Sequence, residues 1–177
     1  MQHAIAVLTT LSAAASPMRS RTNATGCQAA TLGNFSWEIK NFDHQVSNAR
    51  GNLSFDLSNP TLSHTSQCSA SDSQPFGGFY STIPYTCTDG PEGTTTQTTF
   101  GFNSLSRRLN INQTWVCSDE DPQWPVQFHA FGSIILTLDC TDKVTNDGKM
   151  DELDSRRETK CTSVAVLLRP YQMTAVA

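Results

Sequence analysis

From Phe35 onward the chain alternates apolar and polar residues. Phe35, Trp37 and Ile39 interleave with Ser36, Glu38 and Lys40. A period of two places one set on a buried face and the other in water, the signature of a half-buried strand. Leu53, Phe55 and Leu57 repeat the pattern against Ser54, Asp56 and Ser58, and Asn59-Pro60 stops it because proline has no N–H for a ladder. A third strand is expected through Thr65 to Ala70, around Cys68. Pro75, Gly77 and Gly78 mark a turn before Phe79-Tyr80, and Pro84 makes Tyr85-Thr86-Cys87 an edge strand or loop. Asp89-Gly90-Pro91-Glu92-Gly93 is a turn. Thr94 to Phe102, Leu109 to Trp115 and Val126 to Ala130 read as further strands. Ile134, Leu136, Leu138 and Cys140 form the most regular alternation of all. No helical apolar period appears before residue 141. Short strands separated by turn signals at this spacing predict an all-β fold, a compact antiparallel β-barrel or sandwich.

The ends read differently. Residues 1–15 hold the apolar run Ala4 to Leu11 and the small residues Ala13-Ala14-Ala15, which predicts a signal peptide cleaved after Ala15. Only the α-amino group and His3 supply positive charge before the run. Residues 16–34 are polar and small, so a flexible arm is expected before a domain at 35–141. Residues 142–160 hold eleven charged side chains, and residues 142–177 read as a charged C-terminal extension. Within it, 151–158 has the composition of a short exposed helix, and Val164 to Leu168 reads as a buried strand or apolar tail.

Composition narrows the partners. The 177 residues carry a net charge of −4, which argues against nucleic acid or an anionic membrane as partner. No later stretch approaches the ~20 apolar residues of a membrane span. Charged residues are only 16%, while Ser and Thr contribute 41 residues. Thr suits pleated, half-exposed strands.

Six cysteines, Cys27, Cys68, Cys87, Cys117, Cys140 and Cys161, allow fifteen pairings. Pairing neighbours gives Cys68 with Cys87 and Cys117 with Cys140. That leaves Cys27 either for Cys161 or for a second chain. A zinc site is disfavoured, since no C-x-x-C pair exists and only four histidines are present. Asn23, Asn34, Asn52 and Asn112 each head an Asn-x-Ser/Thr sequon. Leader, cysteines and sequons agree on a secreted, extracellular protein.

Chemistry is sparse. There is no G-x-S-x-G elbow and no H-E-x-x-H motif. His44, His64 and His129 sit in different segments and read as surface or core groups. Asp56, Asp119, Glu120, Asp121 and Asp139 are the carboxylates from which glycosidase chemistry would draw, although Asp119, Glu120 and Asp121 read best as a solvated loop. Asp147-Gly148 resembles a calcium loop, but Lys143 and Thr145 occupy its first and third ligand positions. Neither a catalytic residue, a metal nor a cofactor is assigned. The aromatics at strand spacing read as core, and Trp124, in a loop, as exposed.

Cys27 followed by Phe35-Ser36-Trp37-Glu38-Ile39-Lys40-Asn41-Phe42 resembles the AA1-like family of secreted fungal proteins typified by the major Alternaria allergen. Ser54-Phe55, Gln67-Cys68-Ser69-Ala70 and Tyr85-Thr86-Cys87 continue the likeness, which covers roughly residues 27–141. The resemblance implies a compact antiparallel β-barrel, two intrachain disulfides and often a homodimer. It pairs Cys68 with Cys87 and makes Cys27 the candidate intermolecular cysteine. The chain departs from the family where Cys117 and Cys140 are further apart than the family's second pair, and in having Cys161.

The resulting expectation is a secreted, non-enzymatic fungal protein, an effector, elicitor or allergen-like protein. Its partner would be a host extracellular protein or a small phenolic, met by loops at Ser71 to Gly78, Asp89 to Gly93 and Asp119 to Pro125. The alternative is a secreted carbohydrate-binding module or small glycoside hydrolase.

Overall fold

The structure, a computed structural model, describes residues 26–47, 50–73, 79, 83–145 and 156–177. The expected signal peptide, Asn23, Pro75 to Gly78 and residues 151–155 lie outside them. Two antiparallel sheets face each other as a sandwich rather than a closed barrel. The first sheet holds β1 (Trp37–Ser47), β2 (Gly51–Ser58), β3 (Thr65–Asp72), β5 (Thr88–Asp89), β9 (Asp139–Thr145), β10 (Arg156–Thr162) and β11 (Val166–Leu168), in the order β5-β3-β2-β1-β10-β9 with β11 also on β1. The second holds β4 (Tyr85–Thr86), β6 (Gln97–Asn103), β7 (Arg108–Cys117), β8 (Val126–Ile135) and β12 (Gln172–Val176), in the order β12-β8-β7-β6-β4.

The alternation read from the sequence supplies the two inner faces. Trp37, Ile39, Leu53, Phe55, Leu57 and Cys68 come from the first sheet. Phe100, Phe102, Leu109, Ile111, Trp115 and Phe128 come from the second, and all are buried. Rings lock together across the gap, Phe55 edge-on to Phe100 at 5.0 Å and Phe42 to Phe102 at 5.5 Å. Such edge-to-face pairs add to the area that each ring removes from water.

β1 runs well past the expected strand end. Its pairing with β2 shifts between Lys40 and Asp43, and Asn41 adopts a positive φ of 53°. The extra residue flips the phase, so the inward set changes from Trp37 and Ile39 to Phe42 and His44. Asn41 tolerates this backbone better than a β-branched residue would, and its amide donates to Asp56 Oδ2 at 2.6 Å.

Several boundaries differ from the sequence reading. Val126 to Ala130 and Ile134 to Cys140 were expected as two strands. Instead β8 runs unbroken to Ile135, a turn follows in which Leu136 N donates to the Arg107 carbonyl, and β9 begins at Asp139. Period-two spacing survives such a turn, so alternation alone does not reveal it.

The tail is woven into the fold. β10 and β11 both pair with β1, and β12 pairs with β8 along Gln172 to Val176. Arg156, Arg157 and Glu158 lie in β10, not in the helix expected over 151–158. Leu168 is buried while Val164 and Leu167 are exposed. Within the expected arm, Cys27–Leu32 forms a short helix, α1, with Thr31 fully buried.

The three disulfides are Cys27–Cys117, Cys68–Cys87 and Cys140–Cys161. Of the two neighbour pairs expected, Cys68–Cys87 forms and Cys117–Cys140 does not. Cys117 is taken by Cys27 because α1 packs on the end of β7, and Cys140 faces Cys161 across the β9–β10 ladder. Cys27 therefore has no free thiol for a second chain, and Cys117–Cys140 and Cys27–Cys161 do not form.

Candidate functional site

The loops at one end of the sandwich gather around the Cys27–Cys117 bond. A groove of about 450 Å³ is lined there by Leu62, His64, Thr95, Thr96, Val116 and Asp119, among others. Four segments far apart in sequence form it: the start of α1 at Cys27, the chain after β2, the β5–β6 loop and the end of β7. Each is fixed by identifiable chemistry.

The turn at Asp89 to Gly93 needs its glycines. Gly90 has φ +60° and Gly93 φ +89°, conformations that glycine adopts without a Cβ penalty. At Gly90 a Cβ would also press on the His64 ring at 2.8 Å. Asp89 anchors the turn's start, accepting from Ser66 Oγ and, at 2.6 Å, from Thr98 N.

Asp119 does more than sit in a solvated loop. Its Oδ1 accepts the Gln28 N–H at 3.3 Å, in the first turn of α1. Gly26, which caps that helix, leaves the room its carboxylate fills. This is a capping interaction made across 91 residues. Further along, Asp121 Oδ1 accepts Gln123 N at 2.9 Å and its carbonyl accepts Trp124 N at 3.2 Å, a tight turn that holds Trp124 outward. Trp124 is 72% exposed, as the sequence predicted.

Inside the core lies a buried polar network that the alternation alone did not reveal. Gln113 Oε1 accepts Trp37 Nε1 at 2.7 Å and Asn59 Nδ2 at 2.8 Å, while Gln113 Nε2 donates to Thr98 Oγ1 at 2.9 Å. Asn59 Oδ1 in turn accepts Thr61 N at 3.0 Å, folding the chain back after Pro60. A signal was available: Gln113 is in phase with Ile111 and Trp115, and Thr98 with Phe100. A polar residue at an inward position must find buried partners.

The remaining candidates do not converge. Asp56 holds Asn41. Asp139 faces Thr162 on β10. His129 Nδ1 bonds to Thr114 Oγ1 at 2.9 Å on the outer face of the second sheet. His44 is buried beside Phe79 and Phe102, its Nε2 without a partner among the described residues. Burial pushes its imidazole below the ordinary 6.5, and neighbouring Asp43 pulls it partly back. Burial raises the Tyr85 phenol, and Asp72 adds to the effect. Cys27, Cys117 and Asp119 come within ligand distance of one another, but both sulfurs are spent in a disulfide. Asn34 and Asn52 are exposed, their amide oxygens accepting from Arg169 Nη2 and Ser71 Oγ. Asn112 lies mid-strand in β7.

Fold and loop end together define a class: a small antiparallel β-sandwich, stapled by three disulfides, that presents loops from a rigid frame. Within that class, the chain belongs to the Alternaria alternata allergen 1 family, whose sequence model matches residues 16–161. The match runs beyond the 27–141 expected and takes in all six cysteines, β9 and β10 up to Cys161. No curated protein and no solved structure matches the chain. Membership makes this an allergen-like protein, and with the disulfides it is consistent with a secreted one. No helix among the described residues is long and apolar enough to cross a membrane.

Proposed function

We propose that this is a secreted, non-catalytic fungal protein that engages a host extracellular protein through the loop end around Cys27–Cys117. The supporting observation is Trp124, an exposed indole on a loop whose root is held by a disulfide and by the Asp119 cap. A large aromatic held out by a rigid frame loses little entropy on binding, and tryptophan is enriched at interface hot spots. The carboxylates and histidines that catalysis would need are dispersed, several of them in structural bonds.

The test is capture from plant extracellular fluid on immobilised wild type and on Trp124→Ala, with a small-phenolic panel run alongside. A specific protein retained by wild type and lost with Trp124→Ala, at unchanged thermal stability, is expected. Equal retention by both overturns the assignment of this surface. The same indole favours a second reading, a carbohydrate-binding module. Retention of wild type but not Trp124→Ala on insoluble chitin or cellulose would select that reading.

A further inference from the structure

The outer face of the second sheet carries a groove of about 210 Å³ with an unusual tenant. Its lining includes Pro84, Thr99, Asn110, Asn112, Phe131 and Tyr171. In β7 the inward residues are Ile111 and Gln113, so Asn110 and Asn112 point out. Asn112 stands directly between Thr99 on β6 and Phe131 on β8. Phe131 is bonded through its carbonyl to Tyr171 N at 2.9 Å, which brings a 71% exposed ring to the groove's rim. Glycine at position 101, opposite Asn110, keeps that side open.

Asn112 is also the first residue of Asn112-Gln113-Thr114. Its side chain bonds to no other described residue, unlike those of Asn34 and Asn52. A sequon asparagine with a free amide therefore lies inside an aromatic-rimmed groove that it would itself fill if modified. Sugar rings have an apolar C–H face and a hydroxyl edge. Phe131 and Tyr171 suit the first, and Asn110 and Thr99 suit the second.

We infer that Asn112 is N-glycosylated and that the first sugars of its glycan pack in this groove, covering Phe131 and Tyr171 as part of the protein's own surface. This rests on the secreted reading. Glycosylation joins Asn112 Nδ2 to the anomeric carbon as the bond from that carbon to a lipid-linked diphosphate donor breaks. The diphosphate leaves with the bonding pair, and the amide proton is lost to the transferase. The step precedes folding, when β7 is still an accessible extended chain. Once the sheet closes, the attached sugar is held next to the rings by its covalent link, so even a weak contact is populated.

The experiment uses full-length protein secreted from a eukaryotic host. Glycopeptide mass spectrometry reads occupancy at each sequon. Release of the Asn112 glycan by an amidase is then timed on folded wild type and on Tyr171→Ala, a change at an exposed ring that should leave the melting curve intact. Expected are an occupied Asn112 and release about tenfold slower from wild type than from Tyr171→Ala, equivalent to ~1.4 kcal/mol of protection. Equal rates, or a bare Asn112 beside modified Asn34 or Asn52, overturn this inference and leave the secreted reading standing. A chain bare at every sequon likewise overturns this inference, whereas retention of the chain inside the cells would overturn the secreted reading.

Discussion

Trp37 and Gln113, 76 residues apart on opposite sheets, share a 2.7 Å hydrogen bond inside the core. Gln113 is the only polar residue on the inner face of β7, and Asn59 and Thr98 depend on the same side chain. Replacing it with leucine keeps the volume but leaves the indole N–H and the Asn59 amide unpaired. Each unpaired buried group costs about 1–3 kcal/mol. Gln113→Leu should therefore lose about 2–4 kcal/mol in urea unfolding, and a loss within 0.5 kcal/mol of zero would show the network to be dispensable.

Gly132 faces the same indole. A Cβ there would lie 2.7 Å from Trp37 Cζ3 and 3.2 Å from Leu168. Both neighbours are locked in the core, so Gly132→Ala should overpack it and cost about 1–3 kcal/mol. The backbone is ordinary strand, so the cost is steric. Pairing it with Leu168→Ala, which frees space, should recover part of the loss relative to the sum of the single changes.

The disulfides should rank by loop length. Cys27–Cys117 closes 90 residues, against 19 for Cys68–Cys87 and 21 for Cys140–Cys161. Chain entropy assigns about 4.6 kcal/mol to the first and about 3.2 to each of the others. Paired serine substitutions should follow that order in melting temperature. Non-reducing peptide mapping checks the connectivity directly, and a Cys117–Cys140 peptide would contradict the fold.

Acid should weaken the protein through His44. Burial lowers its folded pKa, so the unfolded chain takes up the proton first as pH falls. The neutral imidazole's contribution is complete above the unfolded value of about 6.5 and is lost progressively as pH drops below it. His44→Phe, which keeps a ring beside Phe79 and Phe102, should flatten the dependence of unfolding free energy on pH between about 7 and 5. An unchanged slope in the variant would assign the acid sensitivity elsewhere.

The strands and their inward sets were legible because period two is a local property: Phe35 to Ile39, Leu53 to Leu57 and Leu109 to Trp115 follow the alternation they show as sequence. Edge and turn signals at Pro60, Pro84 and Asp89 to Gly93 held for the same reason, since they are fixed by single residues' backbone preferences. The loop end was only half visible. Trp124 could be read as exposed from its neighbours, but nothing near Asp119 announces that it caps a helix 91 residues earlier.

The sequence by itself determined an all-β, disulfide-bonded barrel or sandwich and its family, because alternation, cysteine content and short motifs are written residue by residue. Tertiary structure alone decided which cysteines meet, that the charged tail supplies β10, β11 and β12, that β1 bulges at Asn41, and that Gln113 is the centre of the core. Each of these depends on two segments distant in the chain coming together. Which segments meet is set by the free energy of the whole packed arrangement, and no local pattern carries it.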